Sequence, residues 1–256
     1  RQLRMMPNSA HLQENKRVFC MTDTATDVTS APAALVATPN DDALARRLSD
    51  FATFGEAIDY AARGQRGMNF HDPRGTLKRV YPFSELREDA LVMARRLIAH
   101  GVAKGDRIAL VAETGPEFAA LFCGCIYAGA WPVPLPLPTS FGGKDSYIDQ
   151  LAVQLASSDP LALFYPAEIA EMAGAAAARQ GCQGIVWEEF ALNPAPECPL
   201  PESSPDDICY LQYSSGSTRF PHGVAVTHAS LLNNLAGHGE GMKLVVSGHN
   251  PMDLKR

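Results

Sequence analysis

The chain has 256 residues, enough to bury a substantial core and to form one or two domains. With 46% hydrophobic and 20% charged residues, the composition is that of a globular protein. A formal net charge of −6 argues against the basic face of a nucleic-acid binder, so no nucleic-acid partner is expected. The cysteines are Cys20, Cys123, Cys125, Cys182, Cys198 and Cys209. None forms the C-x-x-C pair of a zinc or redox site, and no metal site is expected. Unpaired thiols fit a reduced, cytoplasmic setting, and Cys123 and Cys125 read as plain packing in an apolar stretch.

The chain opens at Arg1, and its first segment is polar, without the apolar region of a signal peptide. Met21 is the expected natural start. Residues 1–43 read as a disordered or non-native lead-in, rich in Thr, Ala and Pro from Thr22 to Asn40. Order is expected near Leu44–Phe54. Thr53-Phe54-Gly55-Glu56 has the form of a capping box, in which two side chains satisfy orphan N–H groups, and predicts a helix to about Ala62. Met68–His71 and Leu77–Tyr81 read as short strands joined by the turn Asp72-Pro73-Arg74-Gly75. Ser84 is the expected cap of the next helix. Leu86, Ala90, Met93 and Leu97 recur on one face of it, and Gly101 ends it.

The apolar run Arg107-Ile108-Ala109-Leu110-Val111 reads as a strand of a parallel sheet. Phe118–Leu137 has the length of a membrane span and no charge, but Pro132, Pro134, Pro136 and Pro138 rule against one helix across it. The expectation is a helix from Pro116 to Ala128 and an extended segment from Val133, which makes a strand–helix–strand unit. A helix over about 147–157 follows. Strands at Ala162–Tyr165 and Gly184–Trp187 then flank an Ala-rich helix, Glu168–Arg179. Asn193–Asp207 reads as a Pro-rich surface connector. The fold class is α/β.

The most informative segment is Tyr210–His228, in which two β-rich stretches flank Ser214-Ser215-Gly216-Ser217-Thr218-Arg219-Phe220-Pro221-His222-Gly223. Hydroxyls and close-spaced backbone N–H groups can wrap phosphate oxygens, and Gly216 lets an oxygen approach the backbone. Arg219 adds a cation. Gly223 reads as a turn glycine, and His222 either as a phosphate contact or as a solvated loop residue. Thr227 is the expected cap of a helix to about Leu235. The segment is neither a Walker loop nor a nucleophile elbow. His228, His238 and His249 have no metal-site spacing, and Gly237, Gly239 and Gly241 read as loop.

The run Ser214–Val224 resembles the phosphate-loop motif of the adenylate-forming superfamily, with Arg219 where Gly is usual and His222 where Lys is usual. That pair of departures resembles the fatty acyl-AMP ligase branch. Tyr81–Pro138 is similar to the opening half of that enzyme's large N-terminal domain, and the likeness covers about Phe51–Met242. The resemblance implies an incomplete αβαβα-layered domain over 44–243, a divergent tail over 244–256, and no small C-terminal domain. It implies that Ser214, Ser215, Gly216, Ser217, Thr218, Arg219, His222 and Gly223 bind ATP phosphates with Mg²⁺. The implied reaction makes acyl-adenylate and pyrophosphate from a fatty acid, and passes the acyl group to an acyl carrier protein or polyketide synthase. Two alternatives stand beside it, a conventional acyl-CoA ligase and a non-catalytic nucleotide-binding remnant. The family's adenine motif, ribose Asp and catalytic Lys do not occur in these residues. The chain alone is therefore expected to be inactive and to expose apolar surface that favours aggregation.

Overall fold

The computed structural model describes residues 44–45, 47, 50–138, 143–213 and 223–246, with side chains to 238; the expected lead-in 1–43 lies outside the described residues. The first helix, α1 (Phe54–Ala61), starts where Thr53 Oγ1 accepts from the Glu56 N–H at 3.2 Å. The expected box is only half made, because Glu56 Oε2 accepts from the Ala52 N–H rather than from that of the cap. Strands β1 (Gly67–His71) and β2 (Leu77–Pro82) form an antiparallel hairpin. Its turn is closed by the Gly75 N–H to Asp72 O at 2.9 Å and by Asp72 Oδ1, which accepts from Arg74 and Thr76 N–H.

Helix α2 (Phe83–Ala99) continues directly from β2, with Pro82 at the cap position and no capping side chain. Ser84 is therefore not the cap: the helix has already begun at Phe83, because Pro82 supplies φ −59 without an N–H to satisfy. Leu86, Ala90, Met93 and Leu97 are all buried on the expected face. Gly101, at φ +97, ends the helix, with its N–H on Ile98 O and the Val102 N–H on Leu97 O.

Four parallel strands follow: β3 (Arg107–Val111), β4 (Trp131–Leu135), β5 (Ala162–Tyr165) and β6 (Gln183–Val186). They lie in the order β4-β3-β5-β6. Helix α3 (Pro116–Tyr127) connects β3 to β4, α4 (Lys144–Ser158) connects β4 to β5, and α5 (Ala170–Arg179) connects β5 to β6. The chain reverses direction across the sheet after β4, so the α3 crossover falls on one face and the α4 and α5 crossovers on the other. Alternation along β3 makes both faces apolar. Ile108 and Leu110 pack with α2, α3 and the short helix α6 (Trp187–Phe190), whereas Ala109 and Val111 pack with α4 and α5. Ile108, Leu110 and Val111 each contribute roughly 1.5–3 kcal/mol by leaving water.

The prolines of β4 sit at the sheet's edge. Trp131 N–H donates to Asp106 O, and Ala112 N–H donates to Leu135 O. Pro132 and Pro134 therefore occupy the positions that would point away from β3, where a missing N–H costs nothing. Phe118–Leu137 thus divides into α3 and β4 as expected, and no helix among the described residues is long and apolar enough to cross a membrane. Gly124 marks a close approach of α2 and α3: a Cβ there would stand 2.8 Å from Met93 Cβ. Cys123 and Cys125 flank it as packed thiols, and burial pushes Cys123 up to about 12.

Candidate functional site

Strands β7 (Ile208–Tyr213) and β8 (Gly223–Thr227) form an antiparallel pair, with Tyr213 opposite Gly223. They hold the two ends of the Ser/Gly/Thr/Arg segment together. Ser214, Ser215, Gly216, Ser217, Thr218, Arg219 and His222 lie outside the described residues, as does His249. Gly223 is described, and its role differs from the expected turn. It is the first residue of β8 and is absent from the positive-φ glycines. Its value is space, since a Cβ would stand 3.1 Å from Tyr213 Cζ. The Tyr213 hydroxyl, lying across that glycine, is 3.0 Å from Ser157 Oγ of α4. β7 runs beside β4, with Tyr210 edge-on to Phe122 of α3 and with Leu211 and Tyr213 packed towards α4 and α5. The loop therefore leaves from a strand laid against the sheet and returns on one that is exposed from Gly223 to Ala225.

The return strand ends at helix α7 (His228–Val246). Thr227 caps it as expected, with Oγ1 accepting from the Ser230 N–H at 3.1 Å. The end of the connector supplies two further acceptors: the His228 N–H donates to Asp207 O and the Ala229 N–H to Pro205 O. A start so well satisfied carries the helix through Gly237, Gly239 and Gly241, which sequence reasoning placed in a loop; glycine's cost of about 1 kcal/mol each is outweighed once nucleation is done. Lys104 Nζ fixes the connector, donating to Asp207 Oδ2 and to Glu202 O, both at 2.8 Å. Lys104 beside it, then the Ser204 N–H, hold the Asp207 carboxyl below its ordinary value.

His228 was not singled out by sequence reasoning beyond its poor fit to a metal site. Its side chain is buried, and its Nδ1 accepts from the Phe54 N–H at 3.1 Å. Phe54 is the first residue of α1, so this N–H has no partner inside its own helix. Burial holds the imidazole below its ordinary value; Asp207 acts in the opposite direction and Lys104 in the same one. A lone His directly after a capping Thr was the available signal, and only the tertiary contact gives it meaning. Among the described residues no three His, Cys, Asp or Glu side chains stand together as metal ligands.

An apolar cleft of about 580 Å³ opens beyond Phe54, lined by Phe54, Met68, Phe70, Phe83, Phe118 and Phe122. Glu113 also lines it. Its carboxyl is raised by burial, and further by Glu168, Glu188 and Glu117.

Comparison with known proteins places this arrangement. A family model described as AMP-binding enzyme matches residues 70–252, past the Met242 at which the sequence likeness was expected to fade. A Caulobacter vibrioides protein named "Putative acyl-CoA synthetase" is 41% identical over 79% of this chain and 35% of its own length. A long-chain-fatty-acid–AMP ligase of Mycobacterium marinum is 32% identical over 64% of this chain and 28% of its own. Among solved structures, one from studies of fatty acyl-adenylate ligases of E. coli and L. pneumophila superposes with TM-score 0.71 and 40% identity. That match covers 74% of this chain and 34% of the solved one. The chain spans about a third of the length of the relatives it matches. The doubly wound sheet, the hairpin around the Ser/Gly/Thr/Arg segment and the matched span agree: the chain belongs to the family of AMP-binding enzymes.

Proposed function

We propose that these residues form part of an ATP-dependent acid–AMP ligase that activates a fatty carboxylate. The carboxylate oxygen attacks the α-phosphate of ATP, the bond to the β-phosphate breaks, and acyl-AMP and pyrophosphate result. Ser214, Ser215, Gly216, Ser217, Thr218 and Arg219 hold the β- and γ-phosphates, with His222 and Gly223 completing the cradle. Each charge-assisted hydrogen bond is worth roughly 1.5–3 kcal/mol. Mg²⁺ would supply further charge neutralisation as pyrophosphate departs. The observation that carries the reading is the pairing of Tyr213 with Gly223, which ties both ends of that segment in a chain of this family.

The acceptor proposed is the phosphopantetheine thiol of an acyl carrier protein or polyketide synthase, in the cytoplasm. Arg219 and His222 support this, together with the likeness to fatty acyl-AMP ligases. A second reading, transfer to coenzyme A, is favoured by the name of the Caulobacter relative. Residues 44–243 are proposed as the partial N-terminal domain and 244–256 as a tail. The 256 residues alone are proposed to be inactive, because they hold neither an adenine motif nor a ribose carboxylate of the family's kind.

Fatty-acid-dependent ATP–pyrophosphate exchange tests this. The chain alone is expected to give none. Fused in frame to the remaining two-thirds of the fatty acyl-adenylate ligase that it resembles, it is expected to exchange, and Arg219→Ala is expected to lower the rate at least about tenfold. A folded fusion that exchanges with no fatty acid would overturn the reading. Supplying holo-carrier protein or coenzyme A to the active fusion decides the acceptor.

A further inference from the structure

We propose that His228 is a positioning residue for the phosphate segment: its neutral imidazole locks the β8–α7 junction to the N-terminus of α1, and protonation releases that lock. The inference rests on reading residues 214–222 as the phosphate cradle.

Two helix N-termini meet at this side chain. His228 is the first residue of α7, and its Nδ1 takes the orphan N–H of Phe54, the first residue of α1. Nδ1 is thereby the acceptor, which assigns the imidazole proton to Nε2. A proton on Nδ1 would face the Phe54 donor with a donor. The positive dipole ends of α1 and α7 both disfavour a cation here.

The surroundings offer little to offset such a cation. The connector presents Asp207, whose carboxylate is engaged by Lys104 Nζ at 2.8 Å and by the Ser204 N–H at 2.8 Å. Lys104, from the turn before β3, brings a positive charge of its own. From α1, Glu56 is turned to the Ala52 N–H, and Asp59 is engaged by Arg87 and by the Tyr127 hydroxyl. Ile126 of α3, Ile208 of β7 and Trp131 of β4 bring no charge.

The lock matters because of where it sits. β8 runs from Gly223 to Thr227, and His228 is the next residue. Gly223 to Ala225 are exposed, so packing does little to fix the loop's exit. The anchors available to it are the pairing with β7 and the seat of α7. Releasing His228 from Phe54 loosens that seat, and with it the exit end of the cradle.

The test uses the 256-residue chain, with inorganic pyrophosphate as the probe. Nitrogen NMR of wild type is expected to show a neutral His228, protonated on Nε2, down to pH values below the ordinary 6.5. The Phe54 amide resonance should move with that titration. Pyrophosphate affinity should fall about tenfold in His228→Ala, the weight of one buried hydrogen bond. His228→Asn, which keeps an acceptor near the Nδ1 position, should restore affinity to within about threefold and remove the part of the acid-dependent loss that follows the His228 titration.

Equal affinity in wild type and His228→Ala would overturn the proposal, as would an Asn variant as weak as the Ala one. A Phe54 amide blind to the His228 titration would overturn it too, and that readout needs neither variant. Should wild type bind no pyrophosphate, the cradle reading fails; a Phe54 amide that still follows His228 would then leave the contact standing with no phosphate to serve.

Discussion

In the parallel sheet, Ile108, Ala109, Leu110 and Val111 of β3 are fully buried between helices on both faces. In the hairpin, Gly223, Val224 and Ala225 of β8 are exposed, and Val224 keeps 55% of its surface in water. The first region is held by apolar area, which is non-directional and sums over many residues. In the second, β7 packs on the core through Cys209, Tyr210 and Leu211, while β8 relies on its pairing with β7 and on polar contacts near the hairpin's ends: Tyr213 on Ser157, Asp207 on Lys104, and His228 on Phe54. The sheet is therefore a broadly supported scaffold, whereas the exposed return strand β8 depends more on its pairing with β7 and on a few directional bonds. Function sited on the less stable element of a rigid frame is a common division in proteins.

Substitutions in the two regions should separate stability from binding, and the largest effects belong to the sheet. Leu110→Ala should cost about 2–5 kcal/mol and lower the melting temperature by roughly 2–4 °C for each of those. Gly124→Val, driven into Met93 at 2.8 Å, should part α2 from α3 at a cost of about 3 kcal/mol. Both are read by thermal unfolding, and neither should change pyrophosphate affinity per folded molecule. A core variant that melts normally yet loses binding would break the contrast.

The hairpin variants should do the reverse. Gly223→Val meets the Tyr213 ring at 3.1 Å and should displace its hydroxyl from Ser157. The ring can give way, so unfolding should change by only about 1 kcal/mol while pyrophosphate affinity drops measurably in a titration. Lys104→Ala should be smaller still, about 0.5 kcal/mol, because the pair is half-exposed. It carries a pH signature. The Asp207 carboxyl is lowered in the fold, so its contribution is complete above its ordinary 3.8 and is lost as pH falls towards the folded value. Wild type and Lys104→Ala should therefore converge in stability at low pH, in denaturant melts.

His228 runs over a different window. Its folded value is depressed, so the unfolded chain binds the proton more readily. The stability it contributes is complete above 6.5 and declines as pH drops from there to the folded value.

The same contrast sorts what could be read beforehand. The sheet was legible because burial on two faces leaves continuous apolar runs, and because Leu86, Ala90, Met93 and Leu97 repeat at the helical period. The Asp72–Gly75 turn was legible from its own chemistry. The misreadings sit where tertiary context decided. Pro82 took the cap position expected of Ser84, because strand and helix join without a loop. The glycines from Gly237 to Gly241 were carried by a helix whose start is satisfied by the distant Asp207 and Pro205. Gly223 was singled out, but the reason, a Tyr213 ring facing it, depends on strand pairing. His228 acts through a residue 174 positions away, and no local pattern encodes that contact.

The central claim is the proposal that Ser214–Gly223 binds phosphate between strands β7 and β8, whose ends pair at Tyr213 and Gly223. Calorimetric titration of pyrophosphate into the 256-residue chain and its Arg219→Ala variant tests it most directly. The account predicts saturable binding by wild type and a loss of at least about tenfold in the variant. No binding by folded wild type, or equal binding by the two, would contradict it.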